Sequence, residues 1–506
     1  MSTPLAKRIA EEHAAIVERL PSSVSNNAQR QNAIAALIER GLPVSRDENW
    51  KYANLRSLER QRFTPAPPQA PIDPSKLPAT IEGYTRFVFV DGVFSASLSG
   101  SATPCEGVSF RALGSAERAG EVARRVLSAA AGATTRVAQQ LTSTSTANNP
   151  ASTAAVLANG AAGGTTRVAQ QPATNSLGST AVGAAPGVSG RPSIGPAESK
   201  VDQSFALLNE AFATDGAQIT VAAGSRSAGC CIEVLFVATA ESSVGASYPR
   251  INLTVEPNAR LSLIERHLSI GTAASFVNSA VNVAVQKDST VNHYRVQQVS
   301  PQATWIDTLS ASVATDANYQ VNAVELGAQS SRSTVQIKLA GERAELGLHV
   351  VSLGDRSQVH DTYALVDHAA PRARTNESFR GIASGRSRVA FNGKIVVREG
   401  AQGTDSRQSL RGLLAGKEAE IDVRPQLEIY TDDVKCSHGA TAGKLDDTML
   451  FYLLSRGLER ETALKLLKWA FLEDVVSKIA VPELRKQIEQ SLAGQMQDLS
   501  ELKELL

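Results

Sequence analysis

Cysteine and histidine are scarce in this 506-residue chain, with four of one and seven of the other. Cys105, Cys230, Cys231 and Cys436 show no CxxC spacing, so neither a disulfide framework nor a closed zinc site can be built from them. Reduced thiols in a reducing compartment are the simpler expectation. Adjacent Cys230 and Cys231 would point to opposite faces of a strand and make a poor chelating pair. Net charge is nearly absent as well. Fifty-one basic and fifty acidic residues leave +1, which removes any global electrostatic case for nucleic acid or a membrane surface. No segment approaches the roughly eighteen apolar residues of a membrane span. The first twenty residues carry Glu11, Glu12 and Glu18 and no unbroken apolar run, unlike a secretory or transit peptide. A soluble cytoplasmic protein is expected.

Catalytic signatures are missing too. "GATAGK" at 439–444 has the wrong spacing for the phosphate-cradling GxxxxGK[ST], and HExxH, GxSxG and GxGxxG do not occur. Support for an autonomous ATPase, hydrolase or dehydrogenase falls accordingly.

What is present divides the chain into five regions. Residues 1–80 read as a helical domain: "LAKRIAEEHAAIVERL" and "AQRQNAIAALIER" have apolar residues at helical spacing, and Gly41 stops the second. Trp50, Tyr52 and Leu55 supply apolar mass to pack a following loop on these helices. A proline-rich connector leads to 81–127, where "RFVFVDGVFSASLS" predicts two strands about an Asp91-Gly92 hairpin turn. Residues 128–200 are low in complexity and poor in charge and large apolar groups, and a mobile insertion is expected. "TTRVAQQ" occurs twice within it, at 134–140 and 165–171, too few copies for a stacked array. Residues 201–435 open with a short helical pattern and continue as strand after strand, among them "INLTVEP", "ARLSLIERHLS", "TVNHYRVQQ" and "STVQIKLAG". Residues 436–506 turn helical, with apolar stripes at Leu450, Phe451 and Leu454 and at Leu466, Leu467, Ala470 and Phe471, a stop at Gly457 and a new start at Pro482.

Turn-like segments near 258, 288, 316 and 342, then 386 and 417, recur at roughly constant spacing without sequence identity. That pattern predicts a β-helix, each coil covering the apolar face of the last. Spacing alone leaves a sandwich or propeller open.

The chemistry concentrates in "DDVKCSHGAT", residues 432–441. If the strand pattern of "QLEIYTDD" persists, Cys436 and His438 project from one face, with Cα atoms about 6.5–7 Å apart. Thiolate and imidazole are both ligands for iron or zinc, yet a closed site needs four donors. Three readings stay open: half of a metal site, a histidine-activated cysteine nucleophile, and a buried thiol beside a hydrogen-bonded histidine. His349, His360 and His368 lie in the strand region. "VHDTYALVDHAAP" could set an aspartate beside an imidazole, though core or solvated histidines account for them.

At this point the sequence resembles a known family. "YTDDVKCSHGATAGKLDDTMLFYLLSRGL" is similar to the C-terminal signature of the SufB/SufD family of iron-sulfur cluster assembly proteins, and within it to the SufD branch. "GLPVSRDENWKYANL" and "FRGIASGRSRVAFNGKIVVREGAQGTDSRQSLRGLLAG" resemble the family's N-terminal segment and last coils. The SufB branch typically carries a cysteine in a CDSLL-like segment and a Glu-His-Glu triplet. Here "SLRGLLAG" has no cysteine, and Ser437, His438 and Gly439 stand at the triplet.

The resemblance implies a right-handed parallel β-helix between helical terminal domains. It implies a non-catalytic scaffold that pairs with a SufB-like subunit through the β-helix end and with a SufC-like ATPase through the C-terminal helical domain. It also implies His438 as ligand to a transient iron-sulfur cluster at the SufB interface, with Cys436 as neighbour. A reduced flavin in the complex and a homodimer are compatible with it. The competing readings are a SufB-like primary scaffold, a Cys/His-dependent enzyme and a glycan-binding β-helix protein.

Overall fold

In a computed structural model, the residues described are 4–44, 46–53, 55–67, 72–100, 106–114, 203–225, 231–239 and 245–496. The expected insertion at 128–200, its "TTRVAQQ" pair, Cys105 and Cys230 lie outside them. The fold is a parallel β-solenoid with helices at both termini.

Alternating strands go to two sheets. The first sheet includes Thr85–Val90, Cys231–Ala238, Arg260–Ser269, Thr290–Gln298, Asn318–Glu325, Glu345–Gly354, Arg374–Ala383, Asp405–Leu414 and Lys435–Gly443 in spatial order. The second includes Ala217–Val221, Arg250–Val255, Phe276–Val285, Thr304–Val313, Ser330–Leu339, Val359–His368, Arg388–Val397 and Glu420–Ile429. Every pair of neighbours along these two runs is parallel. Period-two alternation explains the packing: Val291, Tyr319, Leu346 and Phe379 face the interior against Leu309, Val335, Ala364 and Phe391.

One corner of the coil is set by backbone conformation. Asn258, Asp288, Asp316, Arg343, Arg372, Gly403 and Asp433 all have positive φ, between 52° and 71°. From Asn258 to Gly403 each donates its N–H to a carbonyl of the next coil's turn, at 2.8 to 3.1 Å. After glycine, Asn and Asp tolerate this left-handed conformation best, which is why the period was visible near 258, 288 and 316. The segments near 386 and 417 belong to the opposite corner: Gly385 and Gly416 lie between first-sheet and second-sheet strands. The constant spacing predicted from sequence therefore combined two rows of turns.

The solenoid's two ends differ. At the first, Val93–Phe94 pairs antiparallel with Thr85–Val90 around Asp91 and Gly92, as the hairpin motif predicts, and Val108–Ala112 pairs antiparallel with Ala217–Val221. Phe87, Phe89, Phe94, Phe110 and Phe236 fill that end, Phe87 and Phe110 stacking at 3.5 Å. At the other end Lys435–Gly443 and Glu420–Ile429 are the outermost strands of their sheets.

Helices α1 (Pro4–Ala14) and α2 (Asn27–Arg40) join α3 (Ser204–Phe212), a helix from the far side of the insertion, in one apolar cluster. Asn26 and Gln29 form a capping box on α2, and Gly41 ends it at φ 79°. Trp50 and Tyr52 do more than pack a loop on helices. Trp50 meets Phe205 but also covers the Arg332 guanidinium at 4.1 Å, and Tyr52 lies 4.8 Å from that of Arg388. The segment is thus pinned along the outer face of the second sheet.

Helices α5 (Arg460–Val476) and α6 (Pro482–Gln495) bury Trp469, Leu472, Val476, Leu484 and Ile488 on the outer face of the first sheet, over Tyr294, Val324, Val351 and Ile382. Helix α4 (Asp447–Ser455), N-capped by Asp446, buries only Leu450.

Candidate functional site

The strand Lys435–Gly443 continues the solenoid eight residues beyond the boundary drawn from sequence. Nothing in "KCSHGATAG" breaks strand geometry, and the first helix waits for the Asp446 cap. Cys436 and His438 therefore stand on the last rung itself. Ser406 pairs laterally with Cys436 and Gln408 with His438. Cys436 packs against the interior apolar cluster, so His438, two residues on, shares the inward face. Cys436 is half-buried and His438 exposed, because no further coil covers them among the described residues.

This end is apolar. Ile421, Val423, Leu427 and Val434 are only partly covered, and Ile429 and Tyr430 are exposed. Asp433 repeats the left-handed corner without a successor among the described residues. The rung resembles an interior cut across rather than a finished surface.

Burial pushes the Cys436 thiol above its ordinary range, nearby Asp405 adds to the effect, and a backbone hydrogen bond at Ser406 opposes it. A resting thiol is a weak nucleophile, which counts against the histidine-activated cysteine. Metal ligation would itself drive the proton off. Among the described residues no three His, Cys, Asp or Glu side chains gather where they could hold a metal ion. The rung offers two donors.

The other histidines are part of the interior or its helical cover. His360 and His368 do not meet the aspartates beside them in sequence, because successive strand residues face opposite sides. His360 bonds Ser352 Oγ at 3.1 Å and His368 Nε2 lies 2.8 Å from Thr375 Oγ1, whereas Asp361 pairs outward with Arg332 and Asp367 with Arg398. Burial lowers both imidazoles to about 4. His349 Nδ1 meets Ser378 Oγ at 2.7 Å beneath α5, and burial, with Lys478 close by, also takes it to about 4.

A charged cluster inside the coil was not anticipated from sequence. Arg295 spans Glu265 and Asp307 with hydrogen bonds of 2.8 to 3.0 Å. His267 and His293 reach Glu265 at 2.7 and 3.0 Å, and Tyr319 Oη lies 2.9 Å from His293 Nδ1. Burial opposes the Glu265 charge, but Arg295 and the two histidines outweigh it and hold the carboxyl well below its usual range. At Glu325 burial, reinforced by Asp307, outweighs a Thr362 hydrogen bond and the more distant pull of Arg295 and raises the carboxyl to about 8. The signal was present in "LSLIERH" and "TVNHYRVQ", where the inward alternation runs from leucine or valine into Glu265, His267, His293 and Arg295.

Among the described residues the chain is thus a two-sheet parallel β-solenoid with antiparallel strands at one end, open outer strands at the other and a helical tail. Residues 236–471 match the family model described as SUF system FeS cluster assembly, SufBD core domain. The iron-sulfur cluster assembly protein SufD of Escherichia coli is 30% identical over 285 residues, covering 56% of this chain and 67% of that protein. An iron-sulfur cluster assembly SufBD family protein of Synechocystis is 29% identical over 300 residues, covering 58% and 66%. A chloroplastic protein of Arabidopsis thaliana is 28% identical over 252 residues, covering 49% and 53%. The chain spans about two thirds of the length of the two bacterial relatives and about half of the plant one. It belongs to the SufBD family of iron-sulfur cluster assembly proteins.

Proposed function

We propose that this chain is a SufD-like, non-catalytic scaffold subunit that pairs with a SufB-like subunit through the bare end of its solenoid and contributes His438 to a nascent iron-sulfur cluster held there as cargo. The observation that carries the reading is the last rung, where Cys436 and His438 stand on the inward face of a strand whose outer side no described residue pairs, within a partly covered apolar surround. Two donors are too few for a closed site, and a second subunit could add the rest. A rung shared between chains would also release its cargo when the chains move apart.

The ATPase of such a complex would dock on the C-terminal helices. Helix α4 presents Met449, Phe451 and Tyr452 at 60%, 71% and 57% exposure, more apolar surface than a short helix usually leaves to water. Nucleotide chemistry would then belong to that SufC-like partner, in the cytoplasm. No helix among the described residues is long and apolar enough to cross a membrane.

The deciding experiment is reconstitution with SufB-like and SufC-like subunits. His438→Ala should lower cluster formation, followed by visible absorbance under anaerobic conditions, while the subunits still co-elute. Full cluster yield from the variant would reject the ligand role, and failure of the wild-type chain to capture either partner would reject the scaffold reading.

A further inference from the structure

A polar column runs through the interior of the last three coils. Glu377, Gln408 and His438 are lateral neighbours on the inward faces of Arg374–Ala383, Asp405–Leu414 and Lys435–Gly443. Phe379, Phe391, Ile395 and Leu410 belong to the same interior cluster, where aliphatic side chains would fill the space without needing partners. Gln408 Nε2 donates to Glu377 Oε1 and to the Gly393 carbonyl, each at 3.1 Å. Both amide hydrogens are thereby used, which fixes the orientation of the amide and leaves Oε1 as an acceptor. Gln408 Oε1 is buried without a hydrogen-bond partner, which costs stability unless a donor is supplied.

The surrounding backbone makes room for the pair. A Cβ at Gly393 would collide with Glu377 Oε1 and lie 2.9 Å from Gln408 Nε2. A glycine is thus placed where the opposite sheet must approach the column closely. Neighbouring strands are about 4.8 Å apart, so the residue next in register to Gln408, which is His438, is within reach of its free oxygen.

We propose that Gln408 is a positioning residue for His438: its Oε1 accepts one ring N–H, which selects the tautomer and presents the other ring nitrogen, unprotonated, at the open end. This rests on the reading of His438 as a ligand. The chemistry is that of metal-binding histidines generally, whose second nitrogen is held by a carbonyl or carboxylate. Glu377 and Gly393 act one step further back, by holding the Gln408 amide in place.

The test uses the full chain, with histidine labelled by 15N in the ring and the His438 signals assigned by their loss in His438→Ala. At a pH where the ring is neutral, the ring shifts give the tautomer ratio. One tautomer should dominate in the wild type. Gln408→Leu should move the ratio by about fivefold, the effect of one net hydrogen bond. If the leucine variant does not fold, Gln408→Met serves instead. A ratio unchanged by loss of the amide overturns the proposal, because a purely packing role for Gln408 would leave the tautomer alone. The cluster assay separates this from the underlying reading: impaired assembly in His438→Ala with an unmoved tautomer ratio rejects positioning alone, whereas normal assembly in His438→Ala rejects the ligand reading.

Discussion

Replacing Glu377 by glutamine should change stability in a way that depends on pH. Burial raises the Glu377 carboxyl from 4.5 to about 8, with only the Gln408 hydrogen bond opposing. Below about 4.5 the group is protonated in both the folded and unfolded chain, and its contribution is fully present. As pH rises toward 8 the unfolded chain sheds the proton while the fold retains it, so stability falls and the contribution is lost on passing the folded value. Each pH unit of that window is worth about 1.4 kcal/mol, and the full window on the order of 4 to 5 kcal/mol as an upper bound. Glutamine keeps an acceptor for Gln408 Nε2 and removes the titration. Urea midpoints should therefore match closely at pH 4.5, while at pH 8 the variant should be the more stable by at least about 2 kcal/mol, roughly half of that bound. Comparing the two pH values cancels any packing difference that does not depend on pH. Parallel pH profiles for the two proteins would refute the assignment of a buried neutral carboxyl.

Four other outcomes follow from the same packing and charge pairs. Arg332→Ala should leave Asp361 buried without its cation and uncover Trp50, costing about 3 to 5 kcal/mol and opening residues 46–53 to limited proteolysis. His360 and His368, lowered to about 4 by burial, contribute stability that is present above about 6.5 and lost as pH falls through 4; His368→Gln should flatten that acid limb in thermal melts. Asp446→Ala removes the side chain that accepts from Thr448 N–H and should cost about 1 kcal/mol, read as faster amide exchange in α4. Phe451→Ser, at a residue 71% exposed, should alter stability by no more than about 0.5 kcal/mol yet weaken capture of the ATPase subunit in a pull-down.

The solenoid was legible because its signals are local and repeated: alternation fixes which side chains face inward, and Asn258, Asp288 and Asp316 mark a corner whose conformation favours them. Later corners use Arg343 and Arg372 in the same conformation, residues with no turn preference, held there by hydrogen bonds to the adjoining coil. That is a tertiary effect: the corner near 342 was still visible through Gly341 in "GERAE", whereas the one at Arg372 was not. The partnership of α3 with α1 and α2 was hidden by the long insertion between them. Cys436 and His438 were found by chemistry and spacing, and alternation placed them on one face. Gln408 and Glu377 were invisible for a different reason. Their link to His438 exists only through lateral register, across about thirty residues of chain per coil, and a single sequence does not reveal which residues stack.

The difference between the solenoid's ends carries the functional reading furthest. A parallel sheet exposes unpaired N–H and C=O groups along each outer strand, and proteins ordinarily cap or charge such edges. At the first end this chain does so, with antiparallel strands and a cluster of phenylalanines. At the other, Glu420–Ile429 and Lys435–Gly443 are the outer strands among the described residues, over Ile421, Val423 and Leu427, without a proline or lysine on the last rung to discourage pairing except Lys435 at its start. Pro425 lies within Glu420–Ile429, the outer strand of the other sheet, and its missing N–H makes that strand the poorer template. An edge left open beside two metal-competent donors fits a surface meant to be completed by another chain. Sealing that edge should abolish pairing without disturbing the coils behind it, whose hydrogen bonds are already complete within the solenoid.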